Sequence, residues 1–387
     1  MKVTEIRQYR VKDPKDGSGG FFVKVETDAG ISGLGEVGIR GWGDAIGQAI
    51  THLEGIVIGA DPWDTEPLWQ RMFRGSGFFP AGTVYSCAIS AIDIALWDIK
   101  AKSVALPLYK LLGGKYRDKV ICYGHARGET VDGLVDHCKS LWDKGWKFVR
   151  WHQPTTHGDL REPGTLEPRE GIRASVRTVE AVRKALPDVE ICLDLHTRID
   201  TTHAIQMARE LEPYKLFFLE DPVRSENPGS YKKLYDKMNI PIAAGEQWGS
   251  KWMFREVIEN EWIDYARIDL CIVGGLTEAL KVTHLAETHY MDIVPHNPLG
   301  PVSAAACVQL CMASPNVGVQ EMPRQPGTYS TALFPQQISW EDGYAWASDA
   351  PGLGVEFDEE VAKANLVGSQ FGFTPQLRRN DGSFNNW

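Results

Sequence analysis

Short runs in which apolar and polar residues alternate recur along the chain, and each predicts a β-strand. The first two, VTEIRQYRV and GFFVKVETDAG, indicate a strand pair near the N-terminus. They are followed by AISAIDIALWDIKAK, in which apolar residues recur at helical spacing and predict an amphipathic helix. The first hundred residues are therefore predicted to form one α+β unit.

From about residue 120 the pattern changes to a repeat of short apolar strand, polar turn and amphipathic helix. The segments ASVRTVEAVRKAL (174–186) and HAIQMAREL (203–211) have helical spacing. The strand segments are KFVRWHQ, VEICLDLH, KLFFLEDP, IPIAAGEQ, YARIDL, DIVPHNP and VGVQEMP. Strands that alternate with helices in this way predict parallel βα units.

A polar residue closes each of six consecutive predicted strands. Their separations are 26, 26, 23, 27 and 25 residues, about the length of one strand, one helix and two loops in a (β/α)₈ barrel. The C-terminal strand ends of such a barrel meet at one mouth, where barrel enzymes hold their catalytic groups. The six residues are Asp194, Glu220, Glu246, Asp269, His296 and Glu321. We therefore expect an α/β protein built as a (β/α)₈-type, or modified TIM, barrel.

The composition narrows the classes of function. The chain has 387 residues, 43% of them hydrophobic and 24% charged, and no apolar run is long enough to cross a bilayer. Its net charge of −10 argues against nucleic acid as a partner, because phosphate binding needs a basic surface. The N-terminus lacks the apolar stretch of a secretory signal, and the seven cysteines contain no CxxC pair. We therefore expect a cytoplasmic protein with reduced thiols.

Three of the strand-end carboxylates come from neighbouring strands. Asp194, Glu220 and Glu246 would repel one another in a cavity unless a cation neutralised them. Ligation by oxygen atoms alone favours a hard ion, so Mg²⁺ is the first expectation and Mn²⁺ the second. A carboxylate bonded to one imidazole nitrogen raises the basicity of the other, so Asp269 and His296 together suit a general base.

A divalent cation opposite a His-Asp pair indicates one type of reaction. A proton on the carbon beside a carboxylate is weakly acidic, and a divalent cation stabilises the enediolate that forms when this proton is removed. Glu321, if protonated, would donate a hydrogen bond to the substrate carboxylate, whereas as an anion it would hold a lysine or a water molecule. The sequence leaves both protonation states open.

The ordered motifs LDLH, FLEDP, AAGEQ, RIDL, PHNPLGP and VQE follow an N-terminal unit that contains AIDIALWDIKAK. This order resembles the enolase superfamily, in the branch with mandelate racemase, and within it the acid-sugar dehydratases of the galactonate dehydratase type. The resemblance implies an α+β capping domain over residues 1–118, a catalytic barrel over 119–340 and a C-terminal segment, 341–387, that returns to the capping domain.

The same resemblance implies roles for the strand-end residues. The Mg²⁺ ligands would be Asp194, Glu220 and Glu246, the base would be His296 with Asp269, and His196 and Glu321 also fall on family positions. The substrate would be a small sugar acid, and since relatives are often even-numbered assemblies, we expect a homo-oligomer.

The third and second barrel strands depart from the racemase pattern. In relatives that racemise, the third strand commonly carries Asp-x-Asn, and the second strand ends in a lysine that serves as a second base. This chain has His196 in place of the asparagine, and its second strand is FVRWHQ, with Arg150 and His152. Arginine stays protonated at neutral pH and is a poor base. Our hypothesis is that His296 removes the C2 proton of a 2,3-dihydroxy acid and His196 acts as general acid on the 3-hydroxyl, giving a 2-keto-3-deoxy acid. Arg150 and His152 are expected to bind the substrate.

Other interpretations stay open at the level of sequence. A racemase, epimerase or cycloisomerase would use the same enediolate with His152 as a second base, and a metal-binding sensor would keep the ligands with little turnover. Residues 153–173 are too long for a simple βα turn. They contain no tyrosine, although mannonate dehydratases of this superfamily carry one in the corresponding loop. The sequence does not distinguish galactonate, gluconate and mannonate as substrates.

Overall fold

The computed structural model describes residues 1–75, 77–78, 82–153, 164–368 and 377–385. These residues form an antiparallel sheet with its helices, a closed parallel barrel and a short C-terminal segment. None of the described helices is both long enough and apolar enough to cross a membrane. Two short 3₁₀ helices cover Arg40–Trp42 and Glu212–Tyr214.

The N-terminal unit is a three-stranded antiparallel sheet backed by helices. Its strands, in order across the sheet, are β1 (Val3–Lys12), β2 (Gly19–Thr27) and β3 (Ser32–Glu36). Its helices are α1 (Gly43–Val57), α2 (Thr65–Arg74), α3 (Thr83–Ser103) and α4 (Leu108–Leu111). The predicted strand pair and the predicted helix, which lies inside α3, are both confirmed.

Helix α3 packs directly against β3 because that strand carries two glycines. A Cβ atom on Gly33 would lie 2.0 Å from the carbonyl oxygen of Ala95, and one on Gly35 would lie 1.8 Å from that of Ala91. Both separations are far shorter than van der Waals contact, so any side chain there would push the strand away from the helix. The glycines therefore set the distance between the two elements.

Eight parallel strands close into a barrel. The strands are β4 (Val120–His125), β5 (Phe148–His152), β6 (Glu190–Asp194), β7 (Phe218–Glu220), β8 (Ile242–Ala244), β9 (Tyr265–Ala266), β10 (Asp292–Ile293) and β11 (Gln320–Glu321). The helices are α5 (Val131–Asp143), α6 (Pro168–Ala185), α7 (Thr201–Leu211), α8 (Gly229–Tyr235), α9 (Lys251–Glu259), α10 (Gly275–Thr288) and α11 (Pro301–Ala313). Neighbouring strands pair from β4 through to β10, and β11 pairs with β4. A parallel bridge from Ile293 of β10 to Val317, shortly before β11, closes the barrel. The predicted barrel is confirmed, with β4 as a strand that the pattern analysis did not identify.

The C-terminal segment contacts both units. It contains β12 (Ser339–Glu341), β13 (Tyr344–Trp346) and α12 (Glu359–Ala364). Strand β13 pairs antiparallel with β4, and the hydroxyl of Tyr9 in β1 donates to Glu359 in α12 at 2.7 Å. The domain boundaries at residues 118 and 340 stay predictions.

Candidate active site

One cavity of about 390 Å³ opens at the C-terminal ends of the barrel strands. Five of the nine predicted site residues line it, namely Arg150, His152, His196, Glu246 and His296. The other four are buried and contact these lining residues; they are Asp194, Glu220, Asp269 and Glu321. The structure thus brings all nine side chains together around one cavity.

Parallel pairing places the three predicted metal ligands side by side. Asp194 ends β6 and Glu220 ends β7, and the two residues are partners in the strand register. Glu246 follows β8 after Gly245, whose φ of +132° is a backbone conformation that L side chains rarely adopt. Asp194 and Glu220 are completely buried, and the side chain of Glu246 is 12% exposed.

Two buried guanidinium groups lie within this acidic cluster. Arg150 bonds to Asp194, and its Nε lies 3.5 Å from Oε2 of Glu220. Arg267 bonds to Glu220 and, at 2.8 Å, to Glu321. These ion pairs neutralise part of the negative charge that the carboxylates bring into the barrel.

The acidic cluster keeps carboxylate oxygens that fit a cation. Oε2 of Glu220 and Oε2 of Glu246 are buried and have no hydrogen-bond donor among the described residues. Burial raises the pKa of Glu246 well above its usual range, and Asp221 and Asp194 raise it further, against the pull of His296. Burial, with the charges of Glu220 and Asp194, also raises the pKa of Asp221 to about 8. Buried carboxylate oxygens that lack donors and lie beside other carboxylates fit a hard divalent cation such as Mg²⁺.

A second set of side chains also lies close enough to share an ion. Ligand atoms of His152, Asp194 and His196 lie within 4.8 Å of one another. Two imidazoles and one carboxylate suit zinc or another transition metal better than Mg²⁺. Asp194 belongs to both sets, but Nε2 of His152 and Nδ1 of His196 accept from guanidinium groups, whereas Glu220 and Glu246 each keep an oxygen without a donor among the described residues. The all-carboxylate set, with its open oxygens, therefore fits an ion better.

His296 and Asp269 form the hydrogen-bonded pair that a base requires. Nδ1 of His296 donates to Oδ2 of Asp269 at 2.7 Å, and the N–H of Cys271 donates to Oδ1 at 2.7 Å. The other ring nitrogen, Nε2, lies 3.3 Å from Oε2 of Glu246. Burial lowers the pKa of His296, but the charges of Glu246, Glu321 and Asp269 outweigh burial and raise it to about 9. A divalent cation on Glu246 would cancel part of that charge and favour the neutral imidazole, which is the form that accepts a proton.

A turn, rather than strand alternation, brings His196 to Asp194. Strand β6 ends at Asp194, and His196 and Thr197 then adopt left-handed backbone conformations, with φ of 47° and 55°. The N–H of His196 donates to Oδ1 of Asp194 at 2.7 Å, and its Nε2 lies 2.8 Å from Oδ2. The strand predicted over VEICLDLH therefore ends at Asp194, two residues before the end of that run.

The surroundings of His196 make it a stronger acid than an exposed histidine. Arg198 donates to Nδ1 of His196 at 3.3 Å, which places the proton of the neutral ring on Nε2. Burial lowers the pKa of His196; Asp194 opposes this, and Arg150 and Arg198 lower it further. The imidazolium form is consequently less populated at neutral pH but gives up its proton more readily.

Arg150 and His152 share one face of β5 but differ in access to the cavity. The side chain of Arg150 is 2% exposed and is held by the acidic cluster, whereas that of His152 is 45% exposed. Nε2 of His152 accepts from Arg150 at 3.1 Å, and Nδ1 lies 3.3 Å from Oδ2 of Asp194. His152 is therefore the more accessible of the two predicted substrate-binding residues.

The contacts of Glu321 are those of an anion. Oε2 accepts from Arg267 and from the N–H of Asn297, each at 2.8 Å, and Oε1 lies 2.7 Å from Nε2 of His125. Burial raises the pKa of Glu321, but Arg267, His296 and His125 outweigh burial and hold it well below its usual range. Of the two protonation states left open by the sequence, the structure favours the ionised one, with an arginine as the partner.

His125 is a site residue that the sequence analysis missed. It ends β4 and lines the cavity. Burial and the charge of Arg150 lower the pKa of His125 to about 4, against the pull of Glu321, so the neutral ring donates to that carboxylate. The signal was available, because VICYGH is a short strand-like run that closes on a polar residue like the others.

Arg267 and Asp221 were missed as well. Arg267 lies two residues before Asp269, and it also donates to the carbonyl of Val294 at 3.1 Å. Asp221 directly follows Glu220 and adopts a left-handed φ of 36°. Sequence alone shows that both are polar residues near strand ends, but only the three-dimensional contacts show that they share in the charge balance of the acidic cluster.

Part of the long segment after β5 lies outside the described residues. Residues 154–163 belong to it, so the comparison with the mannonate dehydratase loop, including its tyrosine, stays untested. Where the description resumes, the N–H of Leu166 donates to the carbonyl of Arg378 at 2.9 Å, and the N–H of Arg378 donates to the carbonyl of Gly164 at 3.0 Å.

Two parts of the chain match known families. Residues 133–361 match the enolase C-terminal domain-like family, and residues 20–113 match the mandelate racemase / muconate lactonizing enzyme N-terminal domain. A D-galactonate dehydratase from Verminephrobacter eiseniae is 34% identical over 394 aligned positions that cover 100% of both chains. A D-mannonate dehydratase from Caulobacter sp. is 33% identical and covers 94% of this chain and 95% of its own length.

Solved structures show the same architecture. The structure of an enolase from Pantoea ananatis with bound D-gluconate and Mg matches with a TM-score of 0.93 and 30% identity, covering 100% of this chain and 99% of that one. A member of the enolase superfamily from Salmonella typhimurium matches with a TM-score of 0.87 and 31% identity, covering 94% and 98%. The chain therefore belongs to the enolase superfamily, in its mandelate racemase / muconate lactonizing enzyme branch.

Proposed function

We propose that this protein is a Mg²⁺-dependent hydro-lyase that removes water from a sugar acid to give a 2-keto-3-deoxy acid. One observation carries the proposal: a His-Asp pair and an all-carboxylate cluster meet at one cavity, with Nε2 of His296 3.3 Å from Oε2 of Glu246. A base next to a cation site is the arrangement that removes a proton from carbon beside a carboxylate. The relatives named D-galactonate and D-mannonate dehydratase support this reaction class.

Asp194, Glu220 and Glu246 are the residues that would hold Mg²⁺. They come from three neighbouring strand ends, and two of them have buried oxygens without donors among the described residues. When bound, the ion would supply positive charge opposite the substrate carboxylate and so stabilise the charge that develops as C2 loses its proton. Arg150 bonds to Asp194 and Arg267 bonds to Glu220, and these ion pairs hold the two carboxylates in position.

Each of two histidines carries out one proton transfer, His296 as the base and His196 as the acid. Nε2 of His296 accepts the proton from C2, while Asp269 orients the ring and stabilises its positive charge. The imidazolium of His196 donates its Nε2 proton to the 3-hydroxyl as the C3–O bond breaks, so the leaving group departs as water. The electron pair of the C2–H bond forms the C2–C3 double bond. The resulting enol takes a solvent proton at C3 and releases its C2 hydroxyl proton to solvent, which gives the 2-keto-3-deoxy acid.

The outer part of the cavity suits a polyhydroxylated chain. Its lining includes the hydroxyl groups of Ser18 and Ser330, whose oxygens lie 2.7 Å apart, and the exposed guanidinium groups of Arg127 and Arg324. Hydroxyls and guanidinium groups together can bond to sugar hydroxyls and to a distal carboxylate. We propose a sugar acid of the galactonate, gluconate or mannonate kind as the substrate, in keeping with the D-gluconate bound to the Pantoea ananatis protein.

The epimerase interpretation needs His152 as a second base, and its contacts do not favour this role. Nε2 accepts from Arg150, and Nδ1 lies within ion-pair distance of Asp194. Burial and the charge of Arg150 lower the pKa of His152 well below its usual range, so the ring is a weak base. Proton exchange at C2 without loss of water would restore this interpretation.

Three expectations from the sequence stay predictions. They are the cytoplasmic location, assembly into a homo-oligomer, and the lack of nucleic-acid and membrane partners. The sugar acid is the partner that the site and the relatives support.

A panel assay tests the proposed function. The purified protein is incubated with Mg²⁺ and with aldonic and aldaric acids, and 2-keto-3-deoxy products are detected by the absorbance of their semicarbazones. We expect one acid or a few stereochemically related acids to give product, and addition of a chelator to abolish it. A panel in which no acid gives product would contradict the dehydratase assignment.

A further inference from the structure

The loop that carries His296 ends in a contact with the N-terminal unit. Glu36, the last residue of β3, is 1% exposed. Its Oε1 accepts from the N–H of Gly300 at 2.7 Å, and its Oε2 accepts from the N–H of Ser303 at 2.9 Å. These donors belong to the start of α11, so one carboxylate caps a barrel helix from 264 residues away along the chain.

Helix α11 has no capping side chain of its own. Its N-cap is Gly300, the next residue is a proline, and the first turn contains no acidic residue. The exposed amide groups and the dipole at a helix N-terminus favour a negative charge, and Glu36 supplies it. A Cβ atom on Gly300 would lie 2.6 Å from Oε1 of Glu36, so the glycine lets the carboxylate approach.

This contact fixes one end of a very short catalytic loop. At the other end, the N–H of His296 donates to the carbonyl of Ile268 at 3.0 Å, and the N–H of Asn297 donates to Glu321 at 2.8 Å. Only two residues, Pro298 and Leu299, lie between these bonds and Gly300, and both line the cavity with His296. A shift at Gly300 therefore has little chain over which to relax before it reaches the base.

The loop after Asp269 is held by the same unit. The hydroxyl of Ser86 in α3 donates to the carbonyl of Ile272 at 2.7 Å, and the N–H of Gly274 donates to Ser90 at 2.9 Å. Both members of the His-Asp pair thus lie on loops that contact β3 or α3 from outside the barrel.

We propose that Glu36 is a positioning residue for the base His296, holding the loop 296–300 through the N-terminus of α11. The inference rests on the proposed dehydration and deepens it by adding a residue that does not line the cavity of the base. Movement of a base by about 1 Å can cost on the order of 100-fold in rate. Glu36 therefore acts on the chemical step through geometry, while leaving the substrate-binding groups in place.

The test compares Glu36→Gln with a matched control, Asp98→Asn. Asp98 is also a buried carboxylate that accepts two backbone N–H groups, from Leu34 of β3 at 3.0 Å and from Leu353 at 2.8 Å. Its further bond is to Lys102, and among the described residues it bonds to neither catalytic loop. The glutamine would keep one acceptor oxygen but place an NH₂ group where the second oxygen accepts, and it would remove the negative charge from the helix N-terminus. Gly300→Ala, which disturbs the same contact from the barrel side, serves as a second variant if Glu36→Gln does not fold.

The first readout, amide hydrogen exchange without substrate, does not depend on the proposed reaction. We expect Glu36→Gln to speed exchange at Gly300 and Ser303, and Asp98→Asn to speed it at Leu34 and Leu353 instead. Unchanged exchange at Gly300 and Ser303 in Glu36→Gln would overturn the proposal even if the wild-type protein showed no dehydratase activity.

The second readout is the split between kcat and KM with the acid that the panel identifies. At equal folded fraction, we expect kcat of Glu36→Gln to fall about 10- to 100-fold, with KM changed by less than about threefold. Asp98→Asn should keep the wild-type kcat. A kcat of Glu36→Gln within about fivefold of that of Asp98→Asn would show that Glu36 only joins the two units, and would overturn the positioning role.

Discussion

The pKa values of His296 and His196, two histidines of one cavity, are shifted in opposite directions because their neighbours differ. Burial lowers the pKa of both, but His296 faces three carboxylates, which raise its pKa to about 9. His196 lies between Arg150 and Arg198, and its pKa stays lowered despite Asp194. A pair of titratable groups pushed apart in this way is typical of an acid and a base in one site. The assignment of His296 as the base and His196 as the acid rests on geometry, because His296 bonds to Asp269 whereas His196 lies beside Asp194.

The role of His196 predicts that proton removal and loss of water can be separated. In His196→Asn, we expect product formation to fall at least about 100-fold, the usual contribution of a general acid, while exchange of the C2 proton with D₂O continues. Both rates are measured by NMR on one sample, and His289→Asn, at a half-buried histidine that does not line the cavity, is the control. Product formation at the wild-type rate would show that His196 is not the acid.

At the scale of elements, β3 and α3 connect the N-terminal unit to the catalytic loops. Glycines in β3 allow the strand to lie against α3, and side chains from both elements then bond to the loops after Asp269 and His296. Packing of β3 on α3 should therefore stabilise the unit that contacts the catalytic loops.

A single methyl group in β3 tests this packing. In Gly35→Ala, the new Cβ would lie 1.8 Å from the carbonyl oxygen of Ala91, so strand or helix must move. We expect a loss of roughly 2–4 kcal/mol in the free energy of unfolding, measured by denaturant titration. Gly55→Ala, in α1 where no atom lies within 4 Å of the added Cβ, should be neutral or stabilising by up to about 1 kcal/mol. Equal effects of the two changes would refute close packing of β3 on α3.

At the scale of the whole molecule, the barrel concentrates negative charge at its mouth and only partly neutralises it. Two buried arginines bond to a cluster of carboxylates in which one oxygen each of Glu220, Asp221 and Glu246 lacks a donor among the described residues. An ion that binds this site in the folded state, and not in the unfolded chain, must stabilise the fold by mass action.

Mg²⁺ should accordingly raise the melting temperature of the whole protein. At 100 times its Kd, the ion is expected to add about 2.7 kcal/mol to the free energy of unfolding, measured by differential scanning calorimetry. Glu246→Gln should lose most of this response while being no less stable without the ion, because burial already raises the pKa of Glu246. Glu256→Gln, at an exposed residue of α9, is the control. A full Mg²⁺ response in Glu246→Gln would remove Glu246 from the ligand set.

The periodic pattern of the sequence predicted the secondary structure and the residues at the strand ends. It did not predict the contacts between residues that lie far apart along the chain. The barrel and the six strand-end residues follow from a repeat that each βα unit carries in its own sequence. The sharing of charge between Arg267 and the carboxylates, the turn at His196 and the bond from Glu36 to α11 require the folded geometry. The segment VICYGH, which ends at His125, has the same strand-like pattern as the others, but it was not predicted as a strand.

The most direct test of the account is the fate of hydrogen during turnover in D₂O. The wild-type protein, Mg²⁺ and the sugar acid identified by the panel are incubated together, and product and remaining substrate are analysed by NMR. We predict a 2-keto-3-deoxy acid with one deuterium at C3, and neither exchange at C2 nor product with His296→Gln. Recovery of the substrate with deuterium at C2 and no loss of water, or turnover by His296→Gln at the wild-type rate, would contradict the account.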